Sequence, residues 1–284
     1  MSEASGVLYI VATPIGNLAD ISQRAVQVLA QVNLVAAEDT RHSQKLLRHL
    51  SISTPMIALH DHNERDQVQQ LIQRLSEGES IALISDAGTP LISDPGYQLV
   101  ARAHAEQIKV TPIPGPSAVI AGLSVAGLPT DRFVFEGFLP AKSAARRTRL
   151  TDLVKEPRTM VFYEAPHRIL ATVTDFIEIF GASRRATLAR EITKLFETVK
   201  QASLQELADW LQQAPENQKG ECVLMIAGAE ITRNLDKLEL DLETLLATLL
   251  GKLSVKDTAS MAAKLTGLNK NQLYKQALAL QQPD

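Results

Sequence analysis

Four short clusters of small polar, glycine and proline residues stand where this sequence could do chemistry. They are Thr13–Asn17, Ala37–Arg41, His60–Asn63 and Ser85–Pro90, and each follows an apolar run typical of a β-strand. Glycine and proline let a backbone come close to a ligand, and the polar side chains supply hydrogen bonds. Because ligands of open α/β sheets bind beyond the carboxyl ends of the strands, we expect the clusters to share one site.

Six titratable side chains at predicted strand ends are candidates for catalysis. A carboxylate or histidine could accept a proton, and a guanidinium could steady a developing negative charge. Each could equally form an ion pair that fastens two parts of the fold together, and both interpretations stay open. The candidates are Asp39, Arg41, His60, Glu164, Arg190 and Glu191.

Several motifs with well-defined chemistry are missing from the sequence. No Gly-x-Gly-x-x-Gly follows the first predicted strand, no phosphate-binding loop with its lysine is present, and no Gly-x-Ser-x-Gly elbow occurs. These absences disfavour a Rossmann dinucleotide site, phosphoryl transfer from a nucleotide and an α/β-hydrolase. We interpret His60 and His62 as solvated or hydrogen-bonded histidines, and predict no metal site.

The composition restricts the class of protein. The 284 residues carry a net charge of −3, which excludes a globally basic nucleic-acid coat. They include 45% apolar but only 4% aromatic residues, so the core must be aliphatic. A single cysteine, Cys222, excludes a disulfide framework. No apolar run approaches the roughly 18 residues of a membrane span, and no leader peptide is recognisable, so we expect a soluble cytoplasmic protein with no membrane partner.

Strand-like and helix-like segments alternate through most of the chain, which predicts an α/β fold whose N-terminal sheet is mainly parallel. We expect two α/β domains over residues 1–115 and 116–229, and a helical domain over 240–284. In the first domain a helix should begin near Ser43, and Asp94 followed by Pro95 predicts another helix start. In the second domain we expect strands near residues 133–138, 159–163, 186–190, 196–200 and 221–227, and helices near 144–154, 168–180 and 204–212.

The end of the chain has a different pattern. A charged linker from Glu230 to Asp241 leads into a helix that begins after Ser254 and ends at Gly267, and Asn269 opens another helix. Helix, short glycine turn and helix resemble a helix-turn-helix element. Residues 251–284 carry five lysines against two acidic residues. This balance suits a nucleic-acid contact, or a small packing or dimer element.

Positive charge is densest over residues 141–168, where seven basic side chains stand against three acidic ones. This stretch is the best local candidate for a surface that faces phosphate groups. A solvated basic helix face is the other open interpretation.

The most specific motif in the sequence is the twelve-residue block Ser85–Gly96, which reads SDAGTPLISDPG. Together with the blocks at residues 13–18, 37–41, 114–118, 137–140, 163–168 and 189–194, it resembles the tetrapyrrole-methylase-like family of S-adenosylmethionine-dependent enzymes. The likeness is to the branch of this family that acts on ribosomal RNA, and it runs from about Leu8 to Ala227 and into the helical tail.

This resemblance implies two α/β domains with the methyl donor, S-adenosylmethionine, bound between them, and a homodimer. It also implies 2′-O-methylation of a cytidine in the decoding region of 16S rRNA, so the expected partner is that RNA within the small ribosomal subunit. By the same resemblance the donor cleft uses Pro14, Asp86, Ala87, Gly88, Thr89, Pro90, Ser117, Ala118, Phe162, Tyr163, Ala189, Arg190, Glu221 and Cys222.

For such a reaction, Asp39 or Glu164 is the favoured proton acceptor, and Arg41 or Arg190 the favoured partner of a phosphate or alkoxide. Two alternatives stay open: the same fold could methylate a small tetrapyrrole-like molecule, or the chain could be a non-catalytic nucleic-acid-binding regulator. The basic stretch favours RNA, because a small substrate needs no such charge. The residues expected to contact RNA are Lys142, Arg146, Arg147, Arg149 and Arg168.

Overall fold

The computed structural model describes residues 6–60, 63–230 and 242–281. The chain divides at Glu230 into two compact units, each of which is described by itself. Asp61 and His62 lie outside the described residues, as does the predicted charged linker after Glu230. The three predicted domains and their limits stay a prediction. None of the described helices is long and apolar enough to cross a membrane.

The first sheet consists of parallel strands covered by helices on both faces. In chain order its elements are β1 (Val7–Val11), α1 (Gln23–Gln31), β2 (Leu34–Ala37), α2 (Thr40–His49), β3 (Met56–Ala58), α3 (Glu64–Ser76), β4 (Ile81–Ile84), α4 (Tyr97–Ala105) and β5 (Lys109–Ile113). The strand order is β3-β2-β4-β1-β5, and every neighbouring pair is parallel, which confirms the predicted sheet. Strands β2 and β4 are apolar and buried at every position, because α3 and α4 pack on one face and α1 and α2 on the other.

The second sheet is mixed. Its elements are α5 (Ala118–Val125), β6 (Phe133–Phe138), α6 (Ser143–Asp152), β7 (Thr159–Glu164), α7 (Ile169–Phe180), β8 (Arg185–Arg190), β9 (Thr198–Ser203), α8 (Leu204–Gln213) and β10 (Cys222–Ile226). The strand order is β6-β7-β10-β8-β9, in which only β6 and β7 are parallel neighbours. Helices α6 to α8 bury the main aliphatic core on one face, while α5 packs on the other.

Two predicted helix starts in the first sheet differ from the structure. Helix α2 begins at Thr40 rather than near Ser43, because the carboxylate of Asp39 accepts the backbone N–H of Arg41 at 2.8 Å and caps the helix. The predicted start at Asp94–Pro95 is wrong, since α4 begins at Tyr97. There the buried carboxylate of Glu64 accepts the N–H groups of Gly96 and Gln98, so the cap comes from α3, far away in sequence.

Two further differences lie in the second sheet. The strand expected at residues 196–200 is β9, which begins at Thr198 and runs to Ser203. Helix α5 was not predicted, because its sequence is apolar nearly all round and shows no helical period.

The helical tail forms a small unit with its own core. Its helices are α9 (Leu242–Leu250), α10 (Val255–Thr266) and α11 (Lys270–Gln281). Ser254 caps α10 by accepting the N–H of Asp257 at 3.2 Å, and Gly267 ends that helix at a φ of +72°, as predicted. The core holds mainly leucine and alanine, with Leu246, Ala262 and Leu273 buried at its centre.

Candidate active site

A cavity of about 360 Å³ opens where the carboxyl ends of the first-sheet strands face the second sheet. Small-molecule sites occupy roughly 300–1,000 Å³, so the volume suits one organic ligand. Turns supply the wall from the first sheet: Ile15, Ala87, Gly88, Thr89, Ile92, Ser93, Asp94, Ser117 and Ala118. Strand ends and the segments that follow them supply the opposite wall: Phe138, Tyr163, Glu164, Ala165, Pro166, Ile192, Glu221, Cys222 and Val223.

Two backbone hydrogen bonds hold the turn around Gly88 against Thr13. The backbone N–H of Thr13 donates to the carbonyl of Gly88 at 2.9 Å, and the N–H of Gly88 returns a bond of 3.1 Å. Gly88 has a φ of +86°, and a Cβ there would lie 3.3 Å from Cγ2 of Ile15, which also lines the cavity. Glycine is therefore needed both for the backbone angle and for the space beside the ligand.

The loop between β4 and α4 holds an unusual backbone. Leu91 and Ser93 have φ values of +71° and +72°, although neither is glycine. Non-glycine residues persist in this region only when their surroundings enforce it, and such strain concentrates at binding sites. The loop ends at the Gly96 N–H bound by Glu64, and it presents Ile92, Ser93 and Asp94 to the cavity.

The N-terminus of α5 also borders the cavity. Ser117 precedes this helix in an extended conformation, and its side chain does not cap the helix backbone. The hydroxyl of Ser117 and the first N–H groups of α5 thus lie at the wall, where they favour a negatively charged ligand group. Thr89 has a different role, because its hydroxyl donates to the carbonyl of Pro116 at 3.0 Å and ties the two turns together.

Two titratable side chains of the second-sheet wall stay protonated at neutral pH. Burial raises the pKa of the Tyr163 hydroxyl to about 12, with a smaller contribution from the charge of Asp94. Burial likewise raises the pKa of the Cys222 thiol to about 12, so this cysteine is not a nucleophile. Both side chains line the cavity in their neutral forms.

The structure separates the predicted donor-binding residues into two groups. Those that line the cavity are Ala87, Gly88, Thr89, Ser117, Ala118, Tyr163, Glu221 and Cys222. Those that do not are Pro14, Asp86, Pro90, Phe162, Ala189 and Arg190.

Strand alternation accounts for Phe162, whereas Ala189 lies on the same face of the sheet as Val223, its register partner. Phe162 packs on Phe176 with ring centroids 5.1 Å apart, in the core beneath α6 to α8, whereas its neighbour Tyr163 faces the cavity. Ala189 is fully buried beneath the cavity wall, against Val223.

Pro14 and Asp86 lie instead at a separate cavity of about 60 Å³, which His42, Leu46 and their neighbours complete. The backbone N–H of Asp39 donates to Asp86 there, at 3.2 Å. Both residues thus lie on the other side of the turn that carries Gly88.

Asp39 and Arg41, predicted as catalytic, form an ion pair with each other. The Arg41 guanidinium lies 3.2 Å from the Asp39 carboxylate, and neither residue lines the large cavity. The side-chain hydrogen bond from Arg41, followed by its backbone N–H, lowers the pKa of Asp39 below its usual value. A carboxylate stabilised in this way is a weaker base, which favours a capping role for Asp39.

Glu164 borders the cavity, but its carboxylate is inaccessible to solvent. It accepts hydrogen bonds from the Thr172 hydroxyl at 2.6 Å and the Ala165 N–H at 2.8 Å, and it pairs with Arg168 at 3.1 Å. The carboxylate is therefore engaged by hydrogen-bond donors of the same chain. Its position favours a role in fixing the end of β7.

The three remaining candidates lie outside the cavity lining. Arg190 is buried and donates to the carbonyls of Glu216 and Lys219, both at 2.9 Å. Partial burial acts to raise the pKa of Glu191, but hydrogen bonds from Lys194 and from the Glu221 N–H outweigh it and leave the pKa lowered. His60 follows the edge strand β3, and its backbone N–H donates to Asn63.

The arginines expected to contact RNA have carboxylate partners within the chain. Arg146 is only 3% exposed, and its guanidinium lies 2.6 Å from Asp175, so its burial keeps it away from an RNA phosphate. The remaining partners are Glu178 for Arg147, Glu136 for Arg149 and Glu164 for Arg168. Lys142 is exposed and forms no ion pair with any described residue.

Sequence reasoning missed part of the cavity wall. Ile92, Ser93 and Asp94 were inside the most specific sequence block, but only the turn before them was assigned to the ligand. Phe138 also belonged to a recognised block, Gly137–Pro140, without an assigned role. Ile15 and Ile192 also belong to recognised blocks without an assigned role, while Val223 carries no signal, since an isolated aliphatic residue looks like a core residue.

Comparison with known proteins agrees with this architecture. The family described as Tetrapyrrole (Corrin/Porphyrin) Methylases matches residues 7–208, and the family described as RsmI C-terminal HTH domain matches residues 236–281. The ribosomal RNA small subunit methyltransferase I of Pseudomonas aeruginosa is 54% identical over 98% of this chain and 99% of its own length. The protein of that name from Vibrio cholerae is 51% identical over 96% of this chain and 94% of its own.

A solved structure with a similar fold is the uroporphyrin-III C-methyl transferase from Thermus thermophilus complexed with S-adenyl homocysteine. It is 15% identical, with a TM-score of 0.54, and the match covers 78% of this chain and 97% of that one. At this identity the likeness concerns the fold alone. The near full-length matches to curated relatives, together with the two family matches, establish that the chain belongs to the ribosomal RNA small subunit methyltransferase I family of tetrapyrrole-methylase-like proteins.

Proposed function

We propose that this protein is an S-adenosylmethionine-dependent RNA methyltransferase that methylates the 2′-hydroxyl of a cytidine in the decoding region of 16S rRNA. The observation that carries the proposal is the cavity beside Gly88, in a chain whose relatives of about 50% identity are named for ribosomal RNA methylation. The donor supplies a methyl group on a positively charged sulfur.

The residues of the cavity fit this donor. Aliphatic side chains such as Ile15, Ile192 and Val223 suit its apolar parts, and the Ser117 hydroxyl and the start of α5 suit its carboxylate. Asp94 and Glu221 place negative charge where a sulfonium or an ammonium group would be bound. The absence of a side chain at Gly88 leaves room for the ligand beside the backbone.

For proton removal we propose Asp94 rather than Asp39 or Glu164. Methyl transfer to a hydroxyl is an in-line displacement, so the chain must hold the two reactants in line and accept the proton. Among the described residues, the titratable side chains that line the cavity are Asp94, Tyr163, Glu164, Glu221 and Cys222. Of these, Asp94 belongs to the strained loop of the block Ser85–Gly96 and lies near Tyr163, whose pKa is raised by burial and, to a smaller extent, by the charge of Asp94.

For RNA binding we propose two separate sets of cations, Lys142 in the first unit and the lysines of the tail in the second. The five lysines of α10, α11 and the segment before them are exposed, and none forms an ion pair with a described residue. RNA binding depends on such available cations, because they neutralise phosphates and release counterions. Arg147 and Arg149 are about half exposed and could add to the first set, but each must share its charge with a carboxylate.

We further propose that the protein acts on the small ribosomal subunit, in the cytoplasm where that RNA is found, and that it is a homodimer. The dimer is supported by the exposed apolar side chains before and within the edge strand β9, where Leu195 is 89% and Phe196 is 67% exposed. Light scattering at micromolar concentration tests this, and a monomer mass would contradict it.

Transfer of a labelled methyl group tests the proposed function. The protein is incubated with methyl-labelled S-adenosylmethionine and either small subunits or free 16S rRNA from cells that lack it, and the RNA is digested to nucleosides. We expect the label in 2′-O-methylcytidine, with Gly88→Val as the inactive control. Transfer to a tetrapyrrole but not to RNA would support small-molecule methylation. RNA binding without methyl transfer, with an affinity that S-adenosylmethionine does not change, would support a non-catalytic regulator.

A further inference from the structure

Phe138 is a large aromatic side chain that is exposed to solvent at the edge of the cavity. Its side chain lines the cavity and is 58% exposed. Its ring centroid lies 5.5 Å from that of Tyr163, whose ring in turn lies 5.0 Å from that of Phe135. The three rings form a continuous aromatic surface, with Phe138 at its outer end. Burying a phenylalanine side chain stabilises a fold, so this exposure forgoes stability that packing would supply.

A β-bulge directs Phe138 toward the cavity. Along β6, Phe135 pairs with Val161, but Gly137 pairs with Phe162, so Glu136 is an extra residue. Without the bulge, strand alternation would place Phe135 and Phe138 on opposite faces of the sheet. With it, both rings contact Tyr163 on the same face. Bulges frequently redirect a side chain next to an active site.

Two further contacts fix the bulge. The guanidinium of Arg149 lies 2.6 Å from the carboxylate of Glu136, which holds the extra residue against α6. Gly137 adopts a φ of +65°, and a Cβ there would lie 3.4 Å from Oγ of Ser93, in the loop on the opposite wall of the cavity. The ion pair thus fixes the backbone that precedes Phe138, and at Gly137 this backbone passes close to the opposite wall of the cavity.

The segment after Phe138 is also anchored and carries positive charge. Arg168 donates to the carbonyl of Leu139 at 2.7 Å, which fixes the chain just beyond the ring. Lys142 follows three residues later and is exposed. A flat apolar face beside an available cation is the combination that single-stranded RNA-binding surfaces use: the ring stacks on a base and the cation meets the backbone.

We propose that Phe138 is the stacking face for the base of the acceptor nucleotide, a pyrimidine turned out of its stack so that its ribose can enter the cavity. The inference rests on the proposed function and deepens it by assigning the residue that holds the acceptor base. Enzymes that act on one nucleotide unstack it and hold its base against aromatic side chains. Phe138 is then an acceptor-binding residue, distinct from the donor-binding turn at Gly88.

Three variants test the assignment in the full-length protein. Phe138→Ala removes the ring, and Phe138→Tyr keeps a ring that can stack. Phe133→Ala is the matched control, because Phe133 begins the same strand, is 38% exposed and does not line the cavity. The measurements are KM and kcat for unmethylated small subunits, the Kd for S-adenosylmethionine by calorimetry, and the molecular mass by light scattering.

We expect Phe138→Ala to raise KM for the subunit about 5- to 150-fold, the range that corresponds to the loss of one base–aromatic stack. Donor Kd and molecular mass should stay unchanged, Phe138→Tyr should restore KM, and Phe133→Ala should resemble the wild type. An unchanged KM in Phe138→Ala would overturn the proposal. Weaker donor binding with an unchanged KM would also overturn it, because the ring would then contact the adenine of the donor. A loss of dimer mass would overturn it as well, because the ring would then contact a second copy of the chain. If the wild type transfers no methyl group, the proposed function itself fails.

Discussion

The cavity and the basic stretch at residues 141–168 use their polar groups in opposite ways. In the cavity wall, hydrogen bonds within the turns hold the backbone, and the residues Ser93 and Asp94 line the cavity. In the basic stretch, each of the five arginines lies within about 3 Å of a carboxylate of the same chain. The first arrangement is prepared for a ligand, whereas the second holds the fold together. Charge density in a sequence is therefore not the same as charge available to a partner.

The geometry of arginine explains the second arrangement. Its planar guanidinium binds a carboxylate through two parallel hydrogen bonds and is more weakly hydrated than an ammonium group. Arg158 binds Glu156 in this way, and the hydrogen bonds from Arg158 lower the pKa of that carboxyl to about 2. The tail instead carries lysines, which stay hydrated and exposed.

The largest expected effect follows from placing a side chain at Gly88, in the wall of the cavity. Gly88→Val adds a side chain toward Ile15 at a φ of +86°, so we expect calorimetry to detect no binding of S-adenosylmethionine. Gly181→Val is the matched control, because Gly181 has a φ of +90° but open space around it. It bears a similar backbone strain and should bind the donor normally. Normal donor binding by a folded Gly88→Val protein would show that the ligand lies elsewhere.

The next effect tests which carboxylate of the cavity region takes part in chemistry. We expect Asp94→Asn to lower the single-turnover methylation rate about 10²–10⁴-fold, the range for loss of a general base, with a much smaller change in donor affinity. Asp39→Asn should stay near the wild-type rate, because Asp39 is held by Arg41 outside the cavity. Glu164→Gln should lower stability more than rate.

If Asp94→Asn is as fast as the wild type while Asp39→Asn is slow, our placement of the base is wrong. If none of the three variants is slow, positioning of donor and acceptor alone accounts for the rate.

A third effect concerns the arginines of the basic stretch whose ion pairs stabilise the fold. Arg146→Ala leaves the buried carboxylate of Asp175 without its main partner, and removing one member of a buried pair costs about 3–5 kcal/mol of unfolding free energy. Arg147→Ala breaks a pair whose side chains are about half exposed and screened by solvent, so we expect a much smaller loss of unfolding free energy. Urea unfolding followed by circular dichroism measures both. Equal costs would contradict the distinction between buried and exposed arginines.

The smallest effect compares the two basic regions as RNA-binding surfaces. We expect replacement of Lys252, Lys256, Lys264, Lys270 and Lys275 by Ala to flatten the salt dependence of RNA binding, by about 0.7–0.9 in log–log slope for each phosphate that is no longer neutralised. Replacement of Arg147 and Arg149 should change the slope less, since carboxylates already neutralise them. Filter binding over a range of salt concentrations gives both slopes. A larger change of slope for the arginine variant than for the lysine variant would indicate that RNA binds to the basic stretch at residues 141–168.

Local sequence patterns predict part of this structure, and contacts between residues far apart in the sequence determine the rest. Periodic apolar runs and the block Ser85–Gly96 were sufficient to predict the parallel sheet, the α/β class and the turn that lines the cavity, because these depend on local patterns and on glycine at a fixed place. The helix cap supplied by Glu64 and the pairing of Arg146 with Asp175 depend on residues about 30 positions apart, which no local pattern contains. Which face a strand residue occupies is equally non-local where a bulge intervenes, as at Phe138.

The most direct test of the proposed donor site is a crystal structure of the protein with S-adenosylhomocysteine, the product that the donor becomes when it loses its methyl group. We predict ligand density in the cavity of about 360 Å³, against the backbone of Ala87 to Thr89 and close to Tyr163 and Asp94. Density in the smaller cavity beside Pro14, Asp86 and His42 would contradict the account, because the donor would then lie on the other side of the turn that carries Gly88.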